Sequence, residues 1–201
     1  MSSFQDIFAY GPTDHPDQHP PRPLWLPPED ELGVCVPLSI VAARSENAVV
    51  ALTHATAFST GVGFQLFAAA RNLDERTLQR LFHEQHLLAG EAEPPDGLLR
   101  VGIELSDGER ISNLGNPHHH LWQPGAEPEG PLLIPHGGGG GSGGSGRITL
   151  SPGYWLWPLP GRGLLRLYVE WPALDIALTH VELDSDVLLE AAKRSRQVWD
   201  D

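Results

Sequence analysis

From Val34 onward, apolar side chains recur at every second position through one segment after another, and this period limits the fold more than any other feature. Val34, Val36, Leu38 and Ile40 alternate with other residues, as do Val50, Leu52, His54, Thr56 and Phe58 beyond the turn-like Ser45-Glu46-Asn47. Successive strand residues point to opposite faces, so the period is that of extended strands, here a long antiparallel hairpin. Gly61-Val62-Gly63 supplies another turn, and Phe64, Leu66, Ala68 and Ala70 continue the pattern. Leu99, Val101, Ile103 and Leu105 alternate into Asp107-Gly108, a strong hairpin signal, with a return strand from Glu109. Tyr154 to Trp157 and Leu164 to Trp171 form a further hairpin across Pro158–Gly163, and Ile176, Leu178 and His180 mark a last strand.

Two segments break the alternation. Leu73, Leu78, Leu81, Phe82 and Leu87 fall near helical spacing behind Asp74-Glu75, which predicts a short helix over about 74–88. Asp184-Ser185-Asp186 caps a second, over about 185–199, with Leu188, Ala191, Ala192, Val198 and Trp199 as its apolar stripe. Many short strands, few helices and no βαβ alternation predict an all-β fold, an antiparallel immunoglobulin-like β-sandwich.

With 201 residues the chain suits one domain, residues 32–201, behind a Pro-rich, loosely ordered leader, residues 1–31. Within that leader Trp25 stands between prolines, where an indole is costly to leave in water, so it is expected to anchor on the body. Eight of the ten residues from Gly137 to Gly146 are glycine. With no side chains to bury and the largest ordering cost, the run reads as a solvent-exposed loop.

Asp and Glu number 26 against 13 Lys and Arg, and a net charge of −13 repels phosphate backbones and anionic membranes. Neither nucleic acid nor membrane is therefore an expected partner. A single cysteine, Cys35, allows no internal disulfide and no thiolate zinc site, and residues 1–12 have no signal-peptide pattern. The expected setting is the cytoplasm.

The glycine run followed by Tyr154-Trp155-Leu156-Trp157-Pro158-Leu159-Pro160, then Glu170-Trp171-Pro172-Ala173 before a C-terminal helix, resembles an uncharacterised family of small hypothetical proteins from actinobacteria. The resemblance spans roughly residues 32–199. It implies no catalytic or binding residue.

Several motifs fail on their chemistry. Ile134-Pro135-His136-Gly137-Gly138-Gly139 imitates an esterase oxyanion segment and Gly140-Gly141-Ser142-Gly143-Gly144 satisfies GxSxG, but no helix follows to hold Ser142 in a strained elbow. Gly139, Gly141 and Gly144 match GxGxxG, yet again without a helix N-terminus to receive a phosphate. His118, His120 and His136 are candidate metal ligands, although neighbouring histidines cannot all face one ion. No cofactor is expected.

With no convergent nucleophile, acid and base in the sequence, the leading expectation is a non-enzymatic protein that binds a protein partner. Trp155 and Trp157 share one strand face beside the glycines; if Tyr154 and Leu156 are buried, these two indoles are exposed anchors, with Trp122 a third candidate. The alternative is an enzyme or small-ligand or metal-binding protein that folding assembles from His54, His180, Glu170 and Asp175.

Overall fold

The computed structural model of the chain describes residues 22–85, 93–114, 128, 130–137 and 140–199. In chain order its strands are β1 (Glu31–Leu32), β2 (Val34–Arg44), β3 (Ala48–Ala57), β4 (Val62–Ala70), β5 (Arg100–Glu104), β6 (Arg110–Ser112) and β7 (Leu132–Pro135). There follow β8 (Gly140–Gly144), β9 (Arg147–Ser151), β10 (Gly153–Trp157), β11 (Leu164–Trp171), β12 (Ile176–Asp184) and β13 (Arg196–Gln197). Helix α1 (Glu75–Glu84) follows β4, a 3-10 turn (Pro172–Leu174) follows β11, and helix α2 (Ser185–Ala192) follows β12. Among the described residues, no helix is long and apolar enough to cross a membrane.

The strands form an antiparallel sandwich. One sheet runs β2-β3-β4-β10-β7, with β9 paired to both β4 and β8, and the other runs β12-β11-β5-β6. Between them Val50, Leu52, Phe64, Leu66 and Leu156 meet Val101, Ile103, Leu165, Leu167, Val169 and Trp171 in one core. Burial of each such side chain is worth about 1.5–3 kcal/mol, and the period-two pattern of the sequence is the imprint of this one face.

The pattern shifts where the backbone bulges. Between Leu52 and His54 the β3–β4 register slips by one residue, with the Thr53 hydroxyl donating to the Gln65 carbonyl at 2.9 Å. Leu52 and Ala55 therefore both face inward, and His54, expected on the face of Leu52, is turned outward.

Strand β10 is covered on both faces. Tyr154 and Leu156 lie in the main core, while Trp155 lies in a second cluster with Trp25, Leu26, Leu132 and Ile134. The indole Nε1 of Trp155 donates to the Trp25 carbonyl at 3.0 Å. Trp25 is 4% exposed and does anchor its segment. Residues 22–31, which composition assigns to the leader, thus belong to the body, and residues 1–21 lie outside the described residues. The body's first and last segments also meet, since β1 pairs with β13. The Glu31 carboxylate accepts from the Ser59 amide and hydroxyl, both at 2.6 Å. Its partial burial acts to raise the pKa, but hydrogen bonds from Ser195 and Ser59 prevail and hold it below the ordinary value.

The C-terminal helix is shorter than its apparent stripe. Asp184 caps α2 by accepting from the Asp186 amide at 2.9 Å, and Leu188, Ala191 and Ala192 are buried. The chain then turns into β13, which leaves Trp199 73% exposed. Pairing with β1 has replaced the last helical turns. Asp74 likewise caps α1, accepting from the Thr77 amide at 2.7 Å, but the helix ends at Glu84, and residues 86–88 lie outside the described residues.

The glycine run is a second correction, because Gly140–Gly144 is a strand rather than a loop. It pairs with β9 from Gly140↔Ser151 to Gly144↔Arg147, and the Phe82 ring of α1 lies against Gly141 and Gly143. Absent side chains let an aromatic ring approach the backbone, an approach any Cβ there would obstruct. Gly137, which has φ +77°, enters from the preceding strand.

The buried phenol of Tyr154 provides a test of this packing. Its hydroxyl accepts from Asn113 Nδ2 at 3.3 Å, and burial pushes its pKa up to about 12. The unfolded phenol ionises near the ordinary value of about 10, so the folded state holds the proton more tightly and loses stability as pH rises from about 10 to about 12. The loss is expected to reach about 2–3 kcal/mol. Urea unfolding across that window should register it in the native protein, and Tyr154→Phe should remove it; an equal alkaline slope in both would place the ionisation elsewhere.

Candidate functional site

Strand β11 alternates strictly. Leu165, Leu167, Val169 and Trp171 point into the core, so Arg166, Tyr168 and Glu170 stand on the solvent face of the four-stranded sheet. Register then fixes their neighbours. Arg166 lies opposite Glu182 of β12 and Glu104 of β5, and Glu104 lies opposite Arg110 of β6. Glu182, Arg166, Glu104 and Arg110 thus form a row of alternating charge across all four strands.

Glu104 organises this row. It is only 7% exposed, and both its oxygens are used: Oε1 accepts from Arg166 Nη1 at 2.6 Å, and Oε2 accepts from Arg110 Nε at 2.6 Å and from the Tyr168 hydroxyl at 3.3 Å. Arg166 Nε also donates to Glu182 Oε1 at 3.0 Å. The hydrogen bonds from Arg166, then Arg110, hold the Glu104 carboxyl below the ordinary carboxylate range. It is committed to these partners as an anion and is poorly suited to move protons at neutral pH.

Beside the charged row runs a second one: His180, Tyr168, Gly102 and Ser112. The Tyr168 and His180 rings lie 5.0 Å apart at a tilt of 38°. Gly102 has no side chain, and the space left is a groove of about 390 Å³ walled by Tyr168, Ile111, Ser112, Arg110 and Leu178. Leu178 is 64% exposed at its end. A Cβ on Gly102 would sit 3.3 Å from the Ile111 carbonyl and 3.8 Å from Tyr168 Cβ, within the groove floor.

The residues singled out in the sequence are dispersed. His180 and Glu170 share this sheet, but Glu170 is held by Arg100 at 2.7 Å. His54 belongs to the other sheet, where its Nδ1 lies 3.1 Å from the Thr53 hydroxyl, and Asp175 sits at positive φ in the turn before β12. Folding therefore does not assemble these four into one site. His136 lies with its ring 6.1 Å from Trp155; burial first, and the Arg22 guanidinium second, lower its pKa. Among the described residues, no three His, Cys, Asp or Glu side chains are grouped to hold a metal ion. His118, His120 and Trp122 lie outside the described residues.

The tryptophan strand is also corrected. Trp155 is 0% exposed, closed in by Trp25 and Leu26, so it cannot be touched by a partner; Trp157 is half-buried against the same cluster. The features missed in the sequence are Glu104, Arg110, Arg166, Tyr168 and Gly102. The parity of β11 and the Asp107-Gly108 turn contain their positions, but the burial of Glu104 depends on the β5–β11 pairing, which no local signal specifies. No protein-family model, curated protein or solved structure matches the chain.

Proposed function

We propose that the chain is a non-enzymatic cytoplasmic β-sandwich that binds a protein partner, and that the partner docks on the solvent face of the four-stranded sheet instead of on the tryptophan strand. The observation that carries the reading is the Glu104 carboxylate, which holds Arg166, Arg110 and Tyr168 in place beside an open groove. Tyrosine and arginine are the side chains that most often dominate binding energy, and side chains ordered before contact lose less entropy on binding. The groove over Gly102, edged by Leu178 and Ile111, suits one apolar side chain of the partner. Arg110 and Glu182 at the ends of the charged row supply a polar rim.

The test is site-specific photocrosslinking in the native host, with the photoreactive amino acid at the exposed Leu178 and, as control, at the exposed Val187 of α2. A discrete adduct from position 178, absent from 187 and abolished by Tyr168→Ala in a variant that still melts cooperatively, is the expected result. The same adducts from both positions, or adducts indifferent to Tyr168, would sink the proposal.

A further inference from the structure

Among the described residues only six of the 13 Lys and Arg side chains are in an ion pair, so what sets a cationic site apart here is convergence. Three unpaired arginines converge. Arg44 ends β2, Arg71 directly follows β4 and Arg147 opens β9, and all three line one cleft of about 520 Å³ at the end of the seven-stranded sheet. Among the described residues none of the three is in an ion pair.

Register builds the cleft. Arg44 lies opposite Val49, Val49 opposite Ala69, and Ala69 opposite Thr149, so a straight cross-strand row of small side chains leads away from the Arg44 guanidinium. Directly opposed residues share a face. Arg71 and Arg147 stand at the strand ends beside that row. The supporting loops are braced: the Arg71 amide donates to the Asn47 carbonyl at 2.9 Å, Asn72 Nδ2 to Asn47 Oδ1 at 2.8 Å, and the Ala48 amide to Ser45 Oγ at 3.1 Å. The Arg71 Nη2 group donates to the Glu46 backbone carbonyl at 3.1 Å. Among the described residues Glu46 is the one carboxylate lining the cleft, and their formal charge there is three minus one, or +2.

We propose that this cleft binds a dianionic phosphoryl group. Guanidinium forks match phosphate oxygens in geometry, and Ser45, Asn47 and Thr149 add neutral donors at the same place. The Val49–Ala69–Thr149 floor leaves room for an organic body attached to that group. The site lies on a different sheet from the Tyr168 face, so it stands or falls independently of partner binding there.

Titration of the full chain with inorganic phosphate and with phenyl phosphate, at constant ionic strength and followed by NMR of the arginine side chains, tests the proposal. Saturable shifts confined to Arg44, Arg71 and Arg147 are expected. Arg147→Gln and Arg44→Gln should each weaken binding by about tenfold or more, the worth of one charge-assisted hydrogen bond, whereas Arg194→Gln should change nothing. Tighter binding of phenyl phosphate assigns the site to a phosphate ester, and equal binding assigns it to the free ion. Shifts that never saturate, or that spread evenly to Arg76, Arg80 and Arg194, overturn it. All of these arginines are exposed, so the variants should keep the native melting midpoint; a variant that does not is replaced by its lysine counterpart, which keeps the charge and should retain part of the affinity.

Discussion

Replacing Trp155 by alanine is expected to cost about 3–5 kcal/mol in urea unfolding, enough to remove a large part of a single domain's stability. The ring is fully buried although it points away from the main core. Its edge meets Phe58 at a centroid distance of 5.6 Å and an angle of 71°, and its indole Nε1 donates to the Trp25 carbonyl. The ring also lies so close to Gly61 that a Cβ there would come within 2.5 Å of Trp155 Cζ2. Truncation therefore removes an aromatic pair, a buried hydrogen bond and the surface on which residues 23–28 rest. Those residues should loosen together, and limited proteolysis should cut near Arg22 in the variant before it cuts in the native protein. Trp157→Ala, at a half-buried position, is expected to cost markedly less. An unchanged midpoint for Trp155→Ala would mean that residues 23–28 do not form a packed layer.

The contrast between these two tryptophans illustrates which information is local. That Trp155 and Trp157 share a face is legible from parity alone, and so is the burial of Tyr154 and Leu156 in the core. Whether the opposite face is open or covered depends on Trp25, 130 residues away, and no period in the sequence reports it. His54 failed for another reason: a one-residue bulge inverts the face of every residue beyond it, and Thr53 has no composition cue that announces a bulge. The C-terminal stripe misled because Val198 and Trp199 continue a helical spacing that the chain abandons after Ala192 to pair with β1. Strand identity and the inward residues of β4, β5 and β11 came through because burial on one face imposes a period of two. Glu104 did not, since a lone carboxylate in a strand reads as surface until two guanidiniums are brought onto it by pairing.

Excising the glycine strand should destabilise the sandwich, although flexible loops of this length can usually be shortened at little cost. A four-residue turn in place of residues 137–146 would delete the β8–β9 ladder and strip the cover from Phe82 and Leu150, for an expected loss on the order of 3 kcal/mol. Two adjacent positions separate packing from mere chain length. A Cβ on Gly143 would come within 2.7 Å of Phe82 Cζ and 3.1 Å of the Arg147 carbonyl, whereas a Cβ on Gly144 would meet nothing within 4 Å. Gly143→Ala is thus expected to cost about 1–3 kcal/mol through overpacking. Gly144→Ala should instead be neutral or stabilise by about 0.4–1 kcal/mol, because alanine restricts the unfolded chain and its side chain finds open space in the folded one. In a Phe82→Ala background Gly143→Ala should cost markedly less than in the native protein, since the ring it clashes with is already gone. If the two alanine variants instead shift the unfolding midpoint in the same direction and to the same extent, Phe82 does not rest on this strand, and the run of glycines is set by chain flexibility after all.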